Sequence, residues 1–243
     1  MSVELVIFDM AGTTVRDNKE VETCFARALV QSGLNISEER ILALQGWAKT
    51  SVFHLLWTEH LGEDHPEIQE KADASYALFK KILEDHYAKK PVVPQPFAEQ
   101  TFKWLRGHNI KIALTTGFYR EVTNILLKQL GWDKGLNKDY TGNEESIIDL
   151  SLCSDDVENG RPAPELIQLA MRKLDVQNAE YVVNLGDTPS DLQSGKAANV
   201  GLSLGVLNGT HTHAQLRGYD NDGFIKDLSE LKKVLESRLL VEI

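Results

Sequence analysis

The stretch Val6-Ile7-Phe8-Asp9-Met10-Ala11-Gly12-Thr13-Thr14 runs a β-forming apolar segment into a carboxylate and then into a glycine turn. The run from Val3 to Phe8 is brief and ends in turn chemistry, so it reads as a buried strand and not as a helix. Asp9 then sits at the carboxyl end of that strand. In an open parallel sheet, ligands bind outside the carboxyl ends of the strands, so this carboxylate stands where chemistry can happen.

Working outward, the rest of the chain alternates helix and strand. Phe97 to Leu105 reads as a helix stopped by Gly107, and Ile110 to Leu114 as a strand ending in Thr115-Thr116-Gly117. Helix Arg120 to Leu130, strand Ile148 to Cys153, helix Pro164 to Leu174, strand Tyr181 to Leu185, helix Ser190 to Ala198 and strand Gly201 to Val206 follow. Such alternation implies an α/β fold built on a parallel sheet, with Asp9, Thr115 and Asp187 converging at one edge. Between Val21 and Tyr87 the spacing is helical throughout. Phe25, Ala28 and Leu29 form one stripe, and Ile68, Ala72, Tyr76, Phe79, Leu83 and Tyr87 another. The linker Pro91-Val92-Val93-Pro94-Gln95-Pro96 closes this block, because closely spaced prolines hold the chain extended. An all-helical lobe inserted just after the first strand would overhang the edge that carries Asp9.

A chain of 243 residues is long enough for a full core plus such an insertion. Its net charge of -10 argues against a nucleic-acid surface, so an anionic substrate must be held by local cations. Two cysteines, Cys24 and Cys153, far apart and without metal-type spacing, indicate neither a disulfide framework nor a zinc site. No signal-type or membrane-spanning run occurs, and the expected compartment is the cytoplasm.

Leu185-Gly186-Asp187-Thr188-Pro189-Ser190-Asp191 sets two carboxylates four residues apart, one at a strand tip and one in the opening turn of a helix. Like charges about 4 Å apart repel by about 4 kcal/mol per pair at an effective dielectric of 20, so these acids and a phosphate dianion require a cation. Magnesium fits, with Asp9, the Ala11 carbonyl, Asp187 and Asp191 as candidate ligands. Taken alone, the segment also reads as a turn with Asp187 or Ser190 capping a helix. Thr115, with the Thr116 and Gly117 amides, suits phosphate oxygens, and a plain threonine cap fits equally well. Arg161, in Asn159-Gly160-Arg161-Pro162-Ala163-Pro164, suits a phosphoryl group or a salt bridge at a helix start. His211 and His213 lie in a polar loop and are expected in solvent, with no role.

In order and approximate spacing, DMAGTT, ALTTG, NGRPAP and LGDTPSD resemble the four motifs of the haloacid dehalogenase superfamily. The resemblance spans essentially the whole chain. It implies a Rossmann-like core over 1–16 and 92–243, a helical cap over 17–91, and Mg²⁺-dependent phosphoryl transfer to Asp9, with Met10, Thr115, Thr116, Gly117 and Arg161 around the phosphoryl group. Members with this layout usually carry a second acid two residues after the nucleophile, where this chain has Ala11. Ala11, the arginine of the third motif and GRPAP resemble the phosphonatase branch, the phosphonoacetaldehyde hydrolases. That branch uses a cap lysine in a Gly-x-x-Lys helix start, matched here by Gly46-Trp47-Ala48-Lys49, so the resemblance implies Lys49 as a Schiff-base residue and a homodimer paired through the caps. Val52, Phe118 and Gln45 stand where the branch has histidine, tyrosine and methionine.

The missing acid and Lys49 belong to one chemical argument. Breaking a phosphorus–carbon bond expels a carbanion, which an iminium on Lys49 could take up, whereas a phosphate ester expels an alkoxide that needs a proton. Two other readings stay open at this point: a phosphatase for a small monoester, with Lys49 merely binding substrate, and a non-catalytic protein that binds a phosphorylated metabolite. A lysine on a helix is also most often a solvated surface residue.

Overall fold

The structure, a computed structural model, describes residues 3–239. Six parallel strands form a sheet in the order β3-β2-β1-β4-β5-β6: β1 Leu5–Asp9, β2 Lys111–Thr115, β3 Leu150–Leu152, β4 Val182–Gly186, β5 Leu202–Val206 and β6 Phe224–Ile225. All five residues of β1 are buried. A strand covered on both faces gains from apolar side chains on each of them, which is why Leu5-Val6-Ile7-Phe8 lacks polar alternation. Register sets Asp9 beside Thr115 and Phe8 beside Leu185, so the nucleophile candidate, the β2 threonine and the end of β4 lie at one level.

Helices α5 Ala98–Gly107, α6 Arg120–Leu130, α7 Glu165–Lys173, α8 Pro189–Ala197, α9 His213–Leu216 and α10 Leu231–Leu239 accompany the sheet. On one face the ring of Phe102 stands edge-on to Phe8 at 5.3 Å and to Trp132 at 5.2 Å. The Trp132 indole donates to Glu99 Oε1 at 3.0 Å, so this large ring is buried without stranding its N–H. Leu5, Ile7 and Ala113 pack on the opposite face with Leu166, Ile167 and Ala170 of α7.

Between β1 and α5 lie four helices and no strand: α1 Glu20–Gln31, α2 Glu38–Ala43, α3 Lys49–Leu61 and α4 Ile68–Lys89. Their shared core is aromatic. Phe25 meets Phe53 at 5.3 Å and Phe79 at 5.8 Å, each edge to face, and all three side chains are buried. Burying one such ring contributes about 2–3 kcal/mol. The two connections to the sheet domain run side by side: Arg16 N donates to Val93 O at 2.9 Å and Gln95 N to Thr14 O at 2.8 Å. None of the described helices is long and apolar enough to cross a membrane.

Candidate active site

The chain leaves β1 in a tight loop in which the amides of Thr13, Thr14 and Val15 all donate to the Met10 carbonyl, at 3.2, 2.9 and 2.7 Å. This curl turns the chain back over the strand tip. At its apex Gly12 has φ +97°, and a Cβ there would lie 2.3 Å from Asp187 Oδ2, so only glycine fits. The Met10 side chain is fully buried in the hydrophobic core, so only its backbone is left to face the substrate.

Three acids meet at this edge. Asp9, Asp187 and Asp191 are all buried and offer carboxylate oxygens within 4.8 Å of one another. Asp191 is the third residue of α8 in a capping box: Thr188 donates to its Oδ2 from N at 3.0 Å and from Oγ1 at 2.6 Å. The cap of α8 is therefore Thr188, and neither Asp187 nor Ser190 serves as one. Asp187 Oδ1 accepts from Thr13 Oγ1 at 3.0 Å, and Oδ2 accepts from N and Oγ1 of Thr210, each at 2.7 Å. Neither threonine was apparent as a site residue from sequence. Thr13 follows the motif aspartate closely enough to have been a signal, but Thr210 lies in an unpatterned loop after β5.

One buried guanidinium spans the cluster. Arg161 Nη1 donates to Asp9 Oδ1 at 2.5 Å and forms an ion pair with Asp191 Oδ1 at 2.5 Å, and Nη2 donates to Thr115 Oγ1 at 2.5 Å. Arg161 is thus not a surface residue at a helix start. Thr115 is not a helix cap either, since α6 begins only at Arg120. Thr116 Oγ1 instead accepts from Phe118 N at 3.1 Å within the intervening turn. Against three carboxylates, one arginine leaves excess negative charge. Burial, then repulsion from Asp191, raise the Asp9 pKa well above the usual carboxylate range despite Arg161. The same two causes lift Asp187 to about 6. Asp9 Oδ2 is buried with no hydrogen-bond partner. A hard divalent cation would neutralise this cluster and satisfy the orphaned oxygen, so the donor set fits Mg²⁺.

The helical lobe closes over this edge. Gly46, at φ +77°, lies so near α8 that a Cβ would meet Ser190 Oγ at 2.3 Å, and a Cβ on Gly117 would meet Gly46 O at 2.6 Å. The cleft so formed is lined by Asp9, Ala11, Thr116, Gly117, Phe118 and Thr188 from below and by Val21, Gln45, Gly46, Trp47 and Lys49 from above.

Lys49 is not on the surface: it is 7 % exposed, at the first position of α3. Its Nζ donates to Leu44 O at 3.2 Å and Trp47 O at 3.3 Å and lies 5.1 Å from the Phe25 ring centroid. It has no carboxylate partner among the described residues. Burial lowers its pKa to about 8. The positive end of the α3 dipole also disfavours an ammonium there.

His211 corrects another expectation. It is 3 % exposed, with Nδ1 3.0 Å from Thr210 Oγ1, because the loop after β5 folds inward to bring Thr210 onto Asp187. His213 is exposed, edge-on to Phe224 at 4.8 Å.

The sequence profile of the haloacid dehalogenase-like hydrolases matches residues 3–199, most of the chain and all of the site just described except the loop of Thr210 and His211. The chain belongs to that family. Among similar proteins, the phosphonoacetaldehyde hydrolase of Bacteroides fragilis is 30 % identical over 231 residues, covering 87 % of this chain and 79 % of that one. The pyrophosphatase PpaX of Oceanobacillus iheyensis is 25 % identical over 232 residues, covering 95 % and 96 %. A solved hydrolase from Pseudomonas syringae, 21 % identical, superposes with a TM-score of 0.78 over 96 % of this chain and 98 % of its own. As a haloacid dehalogenase-like hydrolase, the chain is an enzyme of hydrolytic class on an α/β scaffold.

Proposed function

We propose that this hydrolase cleaves the phosphorus–carbon bond of a short carbonyl phosphonate of the phosphonoacetaldehyde type. The observation that carries the reading is Lys49: an amine out of solvent, without an acid partner among the described residues and lowered to about 8, lining the same cleft as Asp9 and Ala11. At pH 7 roughly a tenth of such a group is neutral, against about one part in 2,500 at an ordinary pKa of about 10.4. Lys49 Nζ attacks the substrate carbonyl, and loss of water leaves an iminium. Asp9 attacks phosphorus, the carbon–phosphorus electron pair moves into the iminium as an enamine, and no alkoxide needs a proton, which suits Ala11. The enamine is protonated on carbon and hydrolysed, releasing the aldehyde and Lys49, and water cleaves the aspartyl phosphate to phosphate and Asp9.

Arg161 holds Asp9 Oδ1 and so fixes the carboxylate for attack, while its second nitrogen is joined to Thr115 beside the phosphoryl position. Asp9, the Ala11 carbonyl, Asp187 and Asp191 would hold Mg²⁺, which when bound supplies positive charge against the phosphoryl oxygens. Borohydride added with phosphonoacetaldehyde should leave a reduced two-carbon adduct on Lys49, found by peptide mapping. Steady phosphate release from phosphonoacetaldehyde with no adduct anywhere on the chain rejects the imine.

The likeness to a pyrophosphatase over nearly the full length of both chains favours one second reading, hydrolysis of a phosphoanhydride. Its leaving phosphate is a weak base and needs little help from an acid at position 11. Phosphate release from pyrophosphate, with none from phosphonoacetaldehyde, would select it.

A further inference from the structure

Within the cleft, one polar group has no task in the chemistry above. The Gln45 side chain is 7 % exposed, lines the cleft, and makes no hydrogen bond to any described residue. Only its backbone is engaged, N donating to Leu42 O at 3.1 Å. A primary amide largely withdrawn from bulk solvent and without a protein partner is open to a ligand that supplies one. The other residues lining that side are Val21, Gly46 and Trp47, with Phe118 opposite them on the sheet domain and Lys49 the one ionisable group beside Gln45. The acids and Arg161 all gather at the Asp9 end, where the phosphoryl group goes.

We infer that the Gln45 amide reads the organic half of the substrate and selects a neutral carbonyl phosphonate that carries a hydroxyl beside its carbonyl. An amide offers both a donor and an acceptor, which a hydroxyl satisfies in either sense. A carboxylate in that place would be better matched by a second fixed cation, and this half of the cleft holds none. The inference rests on the phosphonate reading and adds the substituent on the carbonyl to it. For 3-hydroxy-2-oxopropylphosphonate the reaction with water gives hydroxyacetone and inorganic phosphate.

The test pairs that compound with 2-oxopropylphosphonate, which lacks only the hydroxyl, and with phosphonopyruvate, which has a carboxylate there. Dissociation constants by calorimetry in Mg²⁺ and kcat/KM by phosphate release are measured for the wild type and for Gln45→Met, a variant of similar volume. A wild-type preference of ~10-fold or more for the hydroxylated compound in both quantities, collapsing to below ~3-fold in Gln45→Met, is expected. A preference below ~3-fold in the wild type, tighter binding of phosphonopyruvate, no binding of either ketone, or a preference that survives Gln45→Met each overturns the assignment. The wild-type ratio decides even if the variant folds poorly. A binding ratio that holds while no phosphonate is turned over supports Gln45 as the reader and rejects phosphorus–carbon cleavage instead.

Discussion

Replacing Lys49 by methionine tests the electrostatics of the cleft through folding as well as through catalysis. A lysine whose pKa falls from about 10.4 unfolded to about 8 folded carries a penalty of about 3 kcal/mol, at 1.36 kcal/mol per unit. Lys49 is buried, so solvent screening does not dilute that figure. The sign follows from proton binding: between pH 8 and 10.4 the unfolded chain holds the proton and the folded chain does not, so stability rises with pH across that window. The penalty is present in full below pH 8 and relieved by about pH 10.4. Lys49→Met never carries it. The variant does lose two hydrogen bonds, to Leu44 O and Trp47 O, worth about 1 kcal/mol each. At pH 7 its net gain should therefore be about 1–3 kcal/mol. The more secure quantity is the change in the difference between the two proteins: the wild type should recover about 3 kcal/mol relative to Lys49→Met from pH 7.5 to 10.5, read by urea unfolding at each pH. Phosphonate turnover should be lost in the variant, and wild-type kcat/KM should rise along an acid limb centred near pH 8. A stability difference that stays flat over that range would refute the premise that Lys49 is desolvated when folded.

Removing one acid tests the charge balance at the other end. Asp187 is held at about 6, so in the absence of metal the folded chain binds an extra proton between pH 4 and 6, and the wild type loses ~3 kcal/mol through that window from Asp187 alone. Asp187→Asn should flatten that slope, and thermal unfolding should show Mg²⁺ raising the Tm of the wild type but not of the variant; equal Mg²⁺ shifts would exclude Asp187 as a ligand. Gly46→Ala, with a Cβ directed at Ser190 Oγ at 2.3 Å and φ +77°, should lift the loop carrying Gln45 and Lys49 off α8. Steady-state kinetics should then give a fall in kcat/KM of ~10-fold or more with little change in Tm, and undiminished kcat/KM would mean that this close approach is dispensable.

The readable parts of the sequence were those where one physical signal dominated. Helix α6 was legible from Arg120 to Leu130 because its apolar stripe is regular and a glycine stops it. The central strand was displaced by only a residue or two, since Asp9 continues the pleat that Phe8 ends. The parallel sheet followed from alternation, and the meeting of Asp9, Thr115, Arg161, Asp187 and Asp191 from the motif pattern. Beyond Val206 local pattern failed. Strand β6 is two residues long and owes its place to pairing with β5, a tertiary contact with no periodicity to betray it. His211 misled because its polar neighbours suggest solvent, whereas Thr210 draws the loop onto a buried carboxylate. Gln45 shows a third limit, because sequence reveals an amide but not that it lacks a partner.

The paired connections between Arg16 and Val93 and between Thr14 and Gln95 have an architectural corollary. Because departure and return lie within one hydrogen bond of each other, the intervening segment spans no distance along the sheet and places no demand on its length. A two- or three-residue turn joining Arg16 to Val93 would rejoin the backbone without displacing β1, so these connections accept an insert of any length while the phosphoryl-handling edge beneath it keeps its backbone path.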